Sequence, residues 1–248
     1  AEPQKDLKEA QMELELLTRI WEYVERWQRN SSVWKTQAFK TIDKEEVATA
    51  VDTHWRDVLK MRKDLERRDV WIKLKEDMDL FKRCLPVLDD LLIEAIKGRH
   101  WEQLKAQLDG DFDHESEKFC LEDLLTLRVD KQAEFVSNLS TGARQERKIE
   151  RDLDGIKEVW EETELKIEGY HAYHKIASVD AINDALTDHI TKLSTMKMSR
   201  FVESFRYTVQ DWEQTLSTIT DTLEALLQVQ TKWMYLENIF IGSEDIKR

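Results

Sequence analysis

Three aspartates at alternate positions, Asp109, Asp111 and Asp113, are spaced like the opening of a calcium-binding loop, in which oxygen donors wrap a hard cation. The glycine that such a loop needs at its sixth position is His114, and the bidentate glutamate at its twelfth is Cys120. The acidic stretch from Asp109 to Glu117 therefore reads as a solvated loop. His171 and His174, with Glu168 nearby, form the second candidate set, as zinc ligands. No cysteine or second acidic cluster stands beside them in sequence, and a strand pairing here would send the two imidazoles to opposite faces. Phosphate chemistry needs two glycines five residues apart followed by Lys and Ser or Thr, so that backbone N–H groups can cradle oxygens. The six glycines, at 98, 110, 142, 155, 169 and 242, include no such pair and no G-x-G-x-x-G turn. Cys84 and Cys120, each beside apolar residues, read as buried free thiols of a reducing compartment. Arg62-Lys63 and Arg67-Arg68 are interrupted by Asp64, Glu66 and Asp69, the pattern of a salt-bridged, solvated helix face. No nucleophile, base and orienting group falls into a catalytic arrangement, which leaves contacts and mechanics as the functions to consider.

The elements that carry these residues are helices. Only two prolines, Pro3 and Pro86, occur in 248 residues, so helix interiors after Pro86 meet no residue lacking an N–H donor. Apolar residues at Leu14, Leu17, Trp21, Val24 and Trp27 share one face, and the polar run Arg29-Asn30-Ser31-Ser32 is either a turn or the surface of a continuing helix. Asp43 and Glu46 fit a capping box that starts a helix carrying Val47, Val51, Trp55, Val58 and Leu59. Trp71, Leu74, Met78, Phe81 and Leu85 form the next stripe, which Pro86 is expected to break or kink. A further helix from Val87 to Lys97 would end at Gly98, as a left-handed cap that reverses the chain, with Trp101 then pinned in the core. Short helices follow at Phe119 to Leu127 and Phe135 to Leu139, and Ser140-Thr141-Gly142 marks a break before the face of Ile149, Leu153, Ile156 and Trp160. Alternation at Leu165 and Ile167, a turn at Gly169-Tyr170 and a return over Tyr173 to Ile176 predict a small β-hairpin. Gly142 and Gly169 are the candidate flexible points. The last helix is the most regular: Phe205, Val209, Trp212, Leu216, Ile219, Leu223, Leu226, Gln230 and Trp233 alternate steps of four and three, and only Gln230 is polar.

Charged residues make up 36% of the chain, against roughly 25% in an average domain, which suits long helices with one apolar stripe. The net charge of -13 argues against surfaces for nucleic acid, anionic lipid or the acidic microtubule wall. No apolar run is long enough to span a membrane. Nine tryptophans, most of them core, leave one or two for an exposed docking surface. The fold class expected is mainly α: an elongated multi-helix rod with a small β-hairpin, and the abrupt start and end read as a piece of a longer chain.

Two segments go beyond generic helix. Gly98-Arg99-His100-Trp101 resembles a motif of the linker region of dynein heavy chains. The segment from Gln230 through Trp233, Tyr235, Leu236 and Phe240, followed by Ser243-Glu244-Asp245-Ile246, resembles that family's signature further along the linker, and its wording is closer to axonemal than to cytoplasmic heavy chains. Trp34 to Ile42 is similar to the linker's N-terminal part. The resemblance implies a tail-proximal helical segment over residues 1–30 and the N-terminal part of a linker over 31–248, incomplete at its C-terminus. It also implies a mechanical role: an arm lying across a ring of AAA+ modules, which bends and straightens as the ring binds and hydrolyses ATP. ATP and magnesium would belong to that ring and no cofactor to this piece. Its partners would be the ring of the same heavy chain, intermediate and light chains through the parent, and microtubules only through a stalk elsewhere. Its place would be the cytoskeleton of a cilium or flagellum. The rival is a helical spacer of the spectrin or plakin kind, which should repeat at roughly a hundred residues with matched tryptophans. Trp55, Trp101, Trp160 and Trp212 lie 46, 59 and 52 residues apart in unlike surroundings.

Overall fold

The computed structural model describes residues 2–171 and 173–242, and it divides into two compact units, Ala1–Arg144 and Gln145–Arg248. In the first unit α1 (Glu2–Thr36) is continuous: the polar run at 29–32 stays helical because Ser31 turns inward on the stripe of Ile20, Val24, Trp27 and Trp34. The helix thus runs without a break through residue 30. Trp21 and Leu14 lie off that stripe and are exposed, so the buried face is rotated from the one expected. Asp43 caps α2 (Lys44–Lys60), its Oδ1 accepting the Glu45 and Glu46 N–H groups at 3.0 and 3.1 Å. A single turn, α3 (Arg62–Leu65), leads into α4 (Asp69–Leu91).

Pro86 does not end α4. It sits on the exposed side of the helix, where the carbonyl left without an N–H partner can be hydrated, while Phe81, Cys84, Val87, Leu88 and Leu91 hold both flanks in the core. The connection between α4 and α5 (Gly98–Leu108) is therefore made by residues 92–97, and Gly98 is the first residue of α5, not the cap of the helix before it. Among the described glycines none has positive φ; the left-handed positions are Asp109, Arg128 and His171. After the loop at 109–119 come α6 (Leu121–Thr126) and α7 (Ala133–Glu162). The two helices expected on either side of Ser140-Thr141-Gly142 are thus one: Val136, Leu139, Ser140 and Ala143 are all buried, and packing of small residues outweighs the roughly 1 kcal/mol that a mid-helix glycine costs. The division between the units falls within α7.

The second unit contains the rest of α7, the antiparallel hairpin β1 (Ile167–Tyr170) and β2 (Tyr173–Ile176), then α8 (Asp180–Lys197) and α9 (Arg206–Gly242). The register pairs Gly169 with His174 and Tyr170 with Tyr173, so Gly169 and Tyr170 lie inside β1 and the turn expected at them begins later, at His171. Its core is the aliphatic row Ile149, Leu153, Ile156, Leu186, Leu193, Val209, Leu216 and Leu223.

Candidate functional site

The residues singled out by sequence fall in two places, one in each unit. The first is an aromatic nest. The ring of Trp101, on α5, is enclosed by Phe39, Phe112 and Phe119 at centroid distances of 5.8, 6.1 and 5.7 Å, all edge-on, while His114 stacks on it at 5.3 Å. Edge-to-face contacts set the positive rim of one ring against the negative face of another, which fixes orientation as well as burying area. The 109–119 segment is therefore only partly solvated: its carboxylates face water, but Phe112 and Phe119 fold onto Trp101. Asp113 accepts the Glu115 N–H at 3.0 Å, an ordinary loop turn. A bridge between Ala38 and Cys120, with Phe39 N–H donating to the Phe119 carbonyl at 2.8 Å, ties the nest to the end of α1.

The neighbours of Trp101 in the motif have local roles. His100, fully buried, accepts the Lys97 N–H on Nδ1 at 2.9 Å and so closes the N-terminus of α5. Gly98 has open space around its α-carbon, so no close approach requires a glycine there, and Arg99 is half-buried on the first turn. The capping role of His100 carries no signal in apolar periodicity and was not foreseen.

The second place is the end of α9. Of the motif residues here, Trp233, Tyr235 and Phe240 are 55%, 69% and 53% exposed, and Leu236 is more exposed than buried neighbours of the same helix such as Leu223. Val229, Trp233, Leu236 and Phe240 follow one another by four, three and four, a seam without a covering helix among the described residues. Ser243 to Ile246, the remainder of the motif, lies outside the described residues. On the adjoining face of the same helix, Gln230 and Glu237 meet the hairpin: Gln230 bonds the backbone of Ile176, and Glu237 accepts from the Tyr173 hydroxyl. Trp21 is the other exposed indole, at 59%, above a cleft between α1 and α4 lined by Val24, Trp27, Val70 and Leu74.

Three indoles have their polar edge satisfied by a named acceptor. Trp27 Nε1 donates to Asp77 at 2.7 Å, Trp71 Nε1 to the Val58 carbonyl at 3.2 Å, and Trp160 Nε1 to His189 Nδ1 at 2.9 Å. Burial and the nearby Lys192 hold His189 below the usual histidine value, and burial with Arg26 does the same to His54. Burial beside the Asp130 carboxylate pushes the Cys84 thiol up to about 12, so it is an unreactive packing group. Both cysteines are free. His171 lies in the hairpin turn and His174 on β2, and among the described residues no three His, Cys, Asp or Glu side chains gather as a metal site. No described helix is long and apolar enough to cross a membrane. The geometry is that of packed cores and one exposed apolar row at the end of α9.

The family model for dynein heavy chain, N-terminal region 2, matches residues 7–248. The chain belongs to the dynein heavy chains. The flagellar inner arm I1 complex dynein-1-beta heavy chain of Chlamydomonas reinhardtii is 39% identical to it over 244 residues, which are 98% of this chain and 5% of that relative. Human dynein axonemal heavy chain 2 is 37% identical over 250 residues, 99% of this chain and 6% of the relative, and its mouse counterpart is 36% identical over 98% and 6%. This dynein heavy chain segment thus spans about one-twentieth of the length of its relatives.

Proposed function

We propose that this segment belongs to the linker of an axonemal-type heavy chain and acts as part of a lever arm, which couples ATP-driven changes in the parent's AAA+ ring to movement of the tail along microtubules. The observation that carries this reading is α9: 37 residues without a break, about 55 Å at 1.5 Å per residue, held by a continuous row from Val209 to Leu223. A lever must resist bending, and an uninterrupted helix seated on a periodic aliphatic seam does so. Family membership and the axonemal and flagellar names of the relatives support the assignment of place, a cilium or flagellum. The working partner is the ring of the same heavy chain; intermediate and light chains, and the microtubule, are reached through other parts of the parent. ATP and magnesium are bound in the ring, and this segment contributes transmission rather than chemistry.

The test uses the full heavy chain carrying Leu216→Pro, which removes one backbone hydrogen bond and clashes inside α9. Expected is ATP turnover close to that of the unaltered motor with microtubule gliding slowed severalfold. Gliding at full speed with α9 shown to be broken would rule out force transmission through this segment. Loss of turnover and gliding together would point to a role in ring assembly instead.

A further inference from the structure

The seam of α9 contains one polar residue, Gln230, and its amide meets both backbone groups of Ile176 at the end of β2. Oε1 accepts the Ile176 N–H at 2.6 Å, and Nε2 donates to the Ile176 carbonyl at 3.1 Å. An antiparallel neighbour strand would make the same exchange of two bonds with one residue, so the side chain stands in for a strand on the outer edge of the hairpin. Two helical turns further on, the buried Glu237 accepts from the Tyr173 hydroxyl, at the other end of β2. The strand is therefore fastened at both ends to one face of α9, by residues seven apart. The fastening begins where other cover stops: Leu223 is buried, whereas Leu226 and Val229 are 44% and 66% exposed.

We propose that the hairpin is a clasp that holds the distal part of α9, from Leu226 to Phe240, in one orientation, and that the Gln230 amide is its catch. The clasp occupies the Gln230 and Glu237 face, which keeps the Val229, Trp233, Leu236 and Phe240 row turned outward. Amide and hydroxyl bonds are less sensitive to salt than exposed ion pairs, so the orientation persists across ionic strength. The clasp is a property of this unit by itself and stands whether or not the segment works as a lever.

Native-state hydrogen exchange on the 248-residue chain tests the catch. Gln230→Leu keeps the bulk of the side chain and removes both bonds. Exchange should accelerate on the order of tenfold at Ile176 and across residues 226–240, and stay within about twofold over residues 209–223. Gln230→Glu supplies a chemical control. Near pH 7 the carboxylate can accept from the Ile176 N–H but has no hydrogen for the carbonyl, and the clasp should open as in the leucine variant. Near pH 4, at the ordinary glutamate value of about 4.3, the neutral acid offers one O–H and one acceptor, as the amide does. Protection relative to the unaltered chain at the same pH should then return. Unchanged exchange in Gln230→Leu, uniform acceleration throughout the second unit, or a Glu variant without recovery in acid would each overturn the proposal. If both variants unfold the unit, Tyr173→Phe removes only the second fastening and should accelerate the same peptides by a smaller factor; no local change there overturns it equally.

Discussion

The two units solve the same problem with different side chains. Ala1–Arg144 packs helices of very different length, from the single turn of α3 to the long α1, together with a loop, and its core is a network of rings: Trp27 lies 5.9 Å from Trp34 and 5.2 Å from Phe81, and Trp101 lies among Phe39, Phe112, Phe119 and His114. Gln145–Arg248 packs long helices along a shared row, and its fully buried residues are aliphatic, with Trp160 and Trp212 only half-buried at the edge. Large flat rings fill irregular junctions where elements cross. Branched aliphatic chains fill a periodic seam, because each repeat presents the same narrow gap. Tryptophan number is thus a sign of irregular packing in this chain, and only Trp21 and Trp233 are exposed.

The largest effect is expected in the aromatic nest. Trp101→Ala should destabilise the first unit by about 3–5 kcal/mol, the range for a buried aromatic cut to alanine, with hydrogen exchange in α8 and α9 unaffected. A denaturation midpoint left in place would show that the nest does not hold its loop. Leu216→Ala, fully buried in the aliphatic row, should cost the second unit about 3 kcal/mol and spare the nest; equal losses in both units would mean that the two cores are not independent.

A smaller effect distinguishes the units by pH. His54 in the first and His189 in the second both have lowered values, so the unfolded chain takes up protons near the ordinary 6.5 before the folded chain does. Their stability contribution is complete above about pH 6.5 and is lost as pH falls through the lower folded values. At His189, protonation of Nδ1 also removes the acceptor for Trp160 Nε1. Urea midpoints measured from pH 8 down to pH 5 should decline for both units, and His189→Gln should flatten the decline in the second alone. Smallest of all, Trp233→Ala, on the open face of α9, should shift stability by no more than about 0.5 kcal/mol; a loss of 2 kcal/mol would mean that this ring is packed in solution.

Much of the molecule was legible beforehand, for identifiable reasons. The Asp43 cap, the stripe from Trp71 to Phe81, the hairpin and the long last helix are local patterns, set by residues within a turn or two of one another. The motif from Gln230 to Phe240 and the one at Gly98–Trp101 were enough to point to the dynein heavy chains, whose family model covers residues 7–248. Local propensity misled where packing overrode it. Pro86 and Gly142 are helix breakers in isolation, yet with buried neighbours on either side α4 and α7 continue past them.

Sequence alone therefore determined what kind of elements form and which family they serve, because helix period, capping and scarcity of breakers act over short separations along the chain. Tertiary structure decided which indoles are buried, where α4 ends before α5 and which face of α9 the hairpin occupies. Those outcomes depend on residues far apart: Phe39 meets Trp101, and Gln230 meets Ile176, only after the chain has folded. A polar residue in an apolar seam looks like a defect until the backbone that needs its amide arrives beside it.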